Sequence, residues 1–228
     1  MSSKENPKDS KDPKEAQLRQ QIGDWLGIGP DEMEYALIDT EEFKDGTVVI
    51  TVNYDGGFAI DDRNFKHLRD ILTFSNGQLL KIKSDMLANA RGPGYVNVIA
   101  TVPYRNGQKN GEEVRQIIIG EVGINGSKAS MSTRTQWIYT TWENDLKHGL
   151  HRSFDDTSDE PLGEGHYVNG MKEGMWVERE GNRREARYFI AGNEVSEEEY
   201  EAEVKEEIER YMLGDLANIA MGYGKGNM

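Results

Sequence analysis

The residues best suited by type to do chemistry are three of the four histidines, His148, His151 and His166, with Asp155 and Asp156 close by in the chain. Neutral imidazoles and carboxylates are nitrogen and oxygen ligands for a divalent metal, and such a set would serve a metal-dependent hydrolase. The spacing weakens that idea, because alternation along a strand sends His148 and His151 to opposite faces. The run Asp155-Asp156-Thr157-Ser158-Asp159-Glu160-Pro161 has the composition of a calcium loop. Counted from Asp155, however, an EF-hand needs Gly at its sixth position and Glu at its twelfth, where Glu160 and His166 stand. A plain acidic loop without metal is the expectation.

Other reaction centres leave little trace. There is no Gly-x-x-x-x-Gly-Lys-(Ser/Thr) loop, and Gly222-Tyr223-Gly224-Lys225-Gly226 follows a helical pattern where a phosphate site would open one. No Gly-x-Ser-x-Gly elbow occurs. Cysteine is absent, which removes thiolate catalysis, disulfides and cysteine-based zinc sites together. These absences predict a non-enzymatic chain that needs no cofactor.

With 41 acidic against 27 basic residues the formal net charge is −14. Such a surface repels phosphate backbones and anionic headgroups, so neither nucleic acid nor a membrane is the expected partner. The amino end has no apolar or Arg-rich targeting pattern, and no window approaches the length of a spanning helix. A cytoplasmic location is expected, with a virion as the alternative.

What the chain does repeat is a turn. An aromatic, any residue, then Asn-(Gly or Asp)-x-Lys-x-Gly occurs from Tyr104 to Gly111, from Trp142 to Gly149 and from Tyr167 to Gly174. Asn-Gly tolerates positive φ at both centres of a type I′ turn, whose twist matches paired strands, so each copy predicts a hairpin tip. The aromatic packs beneath the hairpin, the second Gly lets the returning strand bend, and the Lys between is expected to face solvent. Self-similar units of this size point to a stacked β architecture.

From Tyr139 to Tyr200 the chain resembles a MORN-type repeat region, whose units pair an aromatic-x-Asn-Gly hairpin with a following Gly and a Trp or Tyr strand. The best copy runs from Tyr167 through Trp176 to Arg179, and Tyr188 with Gly192 opens a truncated one. The copies with Gln108 and Asp145 depart from the usual form, and the likeness covers about a third of the chain. It implies an antiparallel sheet that grows one hairpin at a time and serves as a binding or assembly platform. Similar repeats occur in proteins of large DNA viruses of amoebae and in a class of bacterial antitoxins.

The elements that must position these features follow from periodicity. Residues 1–14 are polar and read as a disordered tail. Leu18, Ile22, Trp25 and Leu26 recur at helical spacing, giving an amphipathic helix over 15–27. Residues 34–126 form an α+β lobe with strands at Val48, Ile50 and Val52 and at Val96, Val98, Ala100 and Val102. A helix capped by Asp61 or Asp62 and carrying Phe65, Leu68 and Leu72, and a short one from Ser84 to before Arg91, are expected between them. Ser127 to Ser132 reads as a linker to the repeats at 133–195, although one continuous sheet is equally compatible. Ser196-Glu197-Glu198-Glu199 is a capping box, with Val195 and Tyr200 placed as its staple, so an acidic helix spans 196–222. Tyr200, Val204, Ile208 and Tyr211 or Met212 form its stripe, and Gly214 is expected to interrupt it.

The fold class is therefore α+β, mainly antiparallel hairpins with a MORN-like extension and a carboxy-terminal amphipathic helix. The aromatics of the repeats serve chiefly a thin core, with Trp176 the one expected to be partly exposed. Trp142, Tyr167, Trp176 and Tyr188 on the sheet, with Glu198 and Glu201 on the helix, are the candidate partner-binding residues. The partner is another protein or a larger assembly such as a virion, and self-association is compatible with the same surfaces. The alternative is an acidic, antitoxin-like protein covering a basic partner.

Overall fold

β-branched and aromatic residues recur along most of the chain, and they fit a pleated surface better than a helix. The computed structural model describes residues 13–60, 65–89, 94–125, 128–180 and 183–223. Two helices come first, α1 (Pro13–Leu26) and α2 (Pro30–Met33). The strands follow as β1 (Ala36–Glu42), β2 (Thr47–Ile60), β3 (Phe65–Ser75), β4 (Gln78–Asn89), β5 (Gly94–Arg105), β6 (Gln108–Lys109) and β7 (Gly111–Asn125). Then come β8 (Lys128–Glu143), β9 (Leu146–Asp155), β10 (Ser158–Val168), β11 (Met171–Glu180), β12 (Arg183–Ile190) and β13 (Asn193–Val195), before the closing helix α3 (Glu197–Tyr223). The strands form one antiparallel meander in chain order, with β6 set off beside β5. This is an α+β architecture of many hairpins flanked by a helix at each end. No helix of the described residues is long and apolar enough to cross a membrane.

Helix α1 starts at Pro13, so Pro13 and Lys14 belong to the helix and not to the polar tail; proline's fixed φ suits a first turn, where its missing N–H is not needed. The rest of that tail lies outside the described residues. Ile22 of α1 is fully buried in one cluster with Ile50, Val52 and Tyr54 of β2, Leu72 and Phe74 of β3, and Leu79 and Ile82 of β4. Trp25 sets its ring 4.8 Å from that of Phe74. Arg19 ties α1 to the sheet by donating to the carbonyls of Met33 at 2.8 Å and Ala36 at 2.9 Å. A small cavity of about 230 Å³ between α1 and α2 is lined by Arg19, Gly23, Ile28 and Met33.

The two helices expected within the lobe are strands. Phe65, Leu68 and Leu72 lie on β3, and Ser84 lies inside β4. Asp61 and Asp62 fall outside the described residues. The inward row of β3 reads Asp70, Leu72, Phe74, and Asp70 pairs across with Val52 on one side and Ser84 on the other. Two polar residues on the core face hide the period of two, leaving an apparent helical spacing of Phe65, Leu68, Ile71 and Leu72. Asp70 is fully buried and accepts a 2.7 Å hydrogen bond from the Tyr54 hydroxyl. Burial, and then the charge of Asp70, holds the Tyr54 phenol far above its ordinary pKa, so it remains a donor.

The expected linker is strand from Lys128 onward, and Ser127 lies outside the described residues. β7 and β8 pair without a shift from Gly111↔Trp142 to Asn125↔Lys128, so Lys128 to Ser132 belongs to β8. Its Thr residues and the aromatics that follow are good strand formers. Helix α3 opens on the expected capping box: the Ser196 hydroxyl accepts from Glu199 N–H at 3.2 Å, and the Glu199 carboxylate accepts from Ser196 N–H at 3.0 Å. It runs through Gly214 unbroken, since one interior glycine costs only about 1 kcal/mol.

Replacing Tyr54 by Phe removes the donor to a buried carboxylate, and urea denaturation is expected to show a loss of about 1–3 kcal/mol with an unchanged slope. An unchanged midpoint would show that this bond contributes nothing.

Candidate functional site: an aromatic and lysine ladder at the hairpin tips

Each repeated turn holds two residues at positive φ: Asn106 and Gly107 at 51° and 79°, Asn144 and Asp145 at 50° and 67°, Asn169 and Gly170 at 51° and 86°. A fourth turn, Ala191 and Gly192 at 49° and 84°, has the same shape without the Asn. All four join directly paired strand ends, as in Glu143↔Leu146 and Ile190↔Asn193, which makes them two-residue type I′ hairpins. The residue two before Ala191 is Phe189, so Phe189 and not Tyr188 holds the aromatic place in the truncated copy.

The strand register gives every motif residue one job. Across its own turn each aromatic faces the motif lysine: Tyr104↔Lys109, Trp142↔Lys147, Tyr167↔Lys172. Across the next pairing the motif glycine faces the following aromatic: Gly111↔Trp142, Gly149↔Tyr167, Gly174↔Phe189. These glycines stand at φ 112°, 94° and 73°, a bend other residues resist, so the returning strand can pass close to the next ring.

The lysines do not simply face solvent. Lys109 Nζ lies 4.6 Å from the Trp142 ring, Lys147 Nζ 4.9 Å from Tyr167, and Lys172 Nζ 4.3 Å from Trp176 and 4.8 Å from Phe189. Each cation therefore covers the aromatic of the next unit, a contact worth about 0.5–2 kcal/mol depending on its desolvation. The backbone repeats the link. The N–H of the second turn residue donates to the carbonyl of the preceding motif lysine: Asp145 to Lys109 at 3.1 Å, Gly170 to Lys147 at 2.7 Å, Gly192 to Lys172 at 3.0 Å. Asp145 adds a carboxylate that accepts from Lys109 N–H at 2.7 Å, which explains why Asp serves there in place of Gly. Glu173 accepts likewise from Ala191 N–H at 2.9 Å.

At the centre of the ladder lies Trp176, expected to be partly exposed but only 3% accessible. Its indole lies over Gly165, where an added Cβ would come within 2.1 Å of the ring, and its N–H donates to the His166 carbonyl at 3.1 Å. The missing side chain on the neighbouring strand is what buries it. Tyr167 packs edge-on at 4.9 Å and His151 stacks at 5.5 Å. His151 Nδ1 shares a 2.9 Å hydrogen bond with the Thr140 hydroxyl. Burial, followed by the charges of Lys147 and Lys172, pushes the His151 pKa below its ordinary value, so the ring is held neutral. Nearby, the buried Glu113 carboxylate accepts from Arg115 at 2.6 Å and from the Trp142 indole at 2.8 Å.

The candidate residues thus fall into two groups. Trp142, Tyr167 and Trp176 meet in the ladder, the first two half-buried and the third enclosed. Tyr188 instead belongs with α3: its hydroxyl donates to Glu197 at 2.7 Å and its ring lies 5.2 Å from that of Tyr200. Glu198 and Glu201 are exposed on the first turns of α3. Lys109, Lys147, Lys172, Phe189 and Glu113 were not among the expected residues; the fixed place of Lys in the motif was the available signal for three of them.

The histidines and the acidic run serve separate local contacts. His148 lies 3.8 Å from the Glu143 carboxylate, away from the His151 stack. Asp155 accepts from the Thr157 hydroxyl at 2.6 Å, a bond that lowers its pKa, while Asp156 accepts from Thr135 N–H at 2.8 Å and docks the β9–β10 turn on β8. Among the described residues no group of three or more His, Asp or Glu is arranged to hold a metal.

A methyl added at Gly165 must displace the enclosed indole, so Gly165→Ala is expected to lower stability by about 1–3 kcal/mol in chemical denaturation. A fully wild-type midpoint would refute the packing. His151 gives a second check. Its folded pKa lies below the unfolded value near 6.5, so its contribution is complete above that pH and is lost as pH falls toward the folded value. Between about pH 7 and 5, His151→Gln is expected to flatten part of the acid-side loss in urea midpoint, and identical pH profiles for both proteins would contradict it.

No family model matches the chain, and comparison with curated proteins and with solved structures likewise finds no match.

Proposed function

We propose that this chain is a non-enzymatic protein-binding module working within a larger assembly, and that α3 is the element that engages its partner. The observation carrying this reading is the solvation of a long helix. From Glu201 to Arg210 every residue of α3 except Val204 is exposed, and Ile208 keeps 54% of its surface accessible. The helix is nevertheless firmly started, by its capping box and by Tyr200 on Tyr188. An apolar pair at a spacing of four, Val204 half-buried and Ile208 exposed, flanked by Glu198, Glu201 and Glu206, suits a groove with a basic rim.

The ladder supports this reading as a rigid mount. Its aromatics are engaged with one another and with lysines, which moves the expected contact surface from Trp176 to the helix. The resemblance of the repeats to MORN-type units, a family of binding platforms, points the same way.

Affinity capture from native extract with the full chain, compared with Ile208→Asp and with Glu198→Lys/Glu201→Lys, tests the proposal. Both variants are expected to fold normally by circular dichroism and to lose at least tenfold of the captured partner. Undiminished capture by both would overturn it.

A further inference from the structure

The two open edges of the sheet carry opposite charge. β13 covers only Tyr188, Phe189 and Ile190 of β12, so Arg183 to Arg187 pair with β11 on one side and with no strand on the other among the described residues. Arg183, Arg184, Glu185 and Ala186 are exposed. At the far end β1 pairs with β2 along its whole length, its other edge carries no strand among the described residues, and Asp39, Thr40, Glu41 and Glu42 are exposed. In a chain of net charge −14, one open edge is thus arginine-rich, and the charged residues of the other, Asp39, Glu41 and Glu42, are all acidic.

Unpaired strand edges are templates for another strand, and charge decides which strand they accept. Pairing β1 with β1 sets carboxylates against carboxylates, and β12 with β12 paired antiparallel about Glu185 sets Arg183 against Arg187 and Glu185 against itself; like charges across a strand pair are destabilising. Pairing β12 with β1 sets arginine against carboxylate. The existing ion pairs at the basic edge, Arg187 to Glu185 at 3.3 Å and Arg184 to Glu160 at 3.5 Å, are exposed and weak enough to exchange, and Arg183 has no ionic partner among the described residues. On β1, the Thr40 N–H is held by the Asp39 carboxylate at 3.0 Å, a bond that an arginine facing Asp39 would compete for.

We propose that copies of this chain join head to tail, β1 of one protomer adding to the open edge of β12 in the next. The contact is heterologous, so it extends the sheet into a ring or a filament and disfavours a symmetric dimer. The inference rests on the reading of the chain as an assembly module and names one of its partners, a second copy.

Sedimentation equilibrium of the full chain tests it. The expected result is a mass that rises with concentration at low salt and returns toward the monomer at about 0.5 M salt, where such contacts are screened. Arg183→Glu/Arg184→Glu and Asp39→Lys/Glu41→Lys should each hold the protein monomeric, and the four substitutions together should restore association. A wild-type monomer at every concentration in low salt, or association indifferent to these reversals, would overturn the proposal. So would a charge-swapped chain that stays monomeric. If the wild type is monomeric yet still captures a partner through α3, the end-to-end joining fails and the protein-binding reading stands.

Discussion

The repeat half of this molecule depends on one backbone contact, the hydrogen bond from the second residue of each hairpin turn to the carbonyl of the lysine in the hairpin before it. It is made at Asp145, Gly170 and Gly192 in turn. A type I′ turn with both centres at positive φ aims that N–H back at its neighbour, and the glycine after the lysine bends the strand so that the carbonyl is there to receive it. The rest of the motif follows from the same register. The aromatic fills the space opposite the glycine, and the lysine side chain, fixed by its own backbone, lies over the next ring.

This arrangement solves a problem of thickness. The first strands bury their inner face under α1, giving a core of Ile22, Val52 and Leu72 that is sealed from water. Beyond β5 the buried hydrophobic residues among those described are Trp176 and Phe189, with His151, Tyr167 and the lysine stems completing the cover. Long lysine side chains cover apolar rings while keeping the charge wet, which suits a thin layer better than another aliphatic residue would. The ladder also stiffens the base from which α3 leaves, through Tyr188 and Tyr200, and so links local turn chemistry to the surface offered for binding.

Much of this was legible in the residues. Asn-Gly and Asn-Asp marked three tips, the Ser196 capping box marked the start of α3, and Leu18 to Leu26 marked α1. The failures have physical causes. β3 and β4 were disguised because Asp70 and Ser84 occupy inward positions, and Asp70 finds its partner in Tyr54, sixteen residues earlier on β2. The burial of Trp176 was hidden because the space it fills belongs to Gly165, on the adjacent strand. The fourth tip was missed in part because Ala191 adopts a left-handed conformation usually reserved for Asn or Gly, with the Glu173 carboxylate holding its N–H.

Amide hydrogen exchange resolved by residue tests the interlock most directly. The N–H groups of Asp145, Gly170 and Gly192 sit on tight exposed turns, where exchange is ordinarily fast, yet each has a carbonyl partner in the preceding hairpin. Marked protection is expected at these three positions, with rapid exchange at Gly107, the corresponding amide of the first unit, which has no hairpin of the series before it. Uniformly fast exchange at all four turns would show that the hairpins are not tied together at their tips.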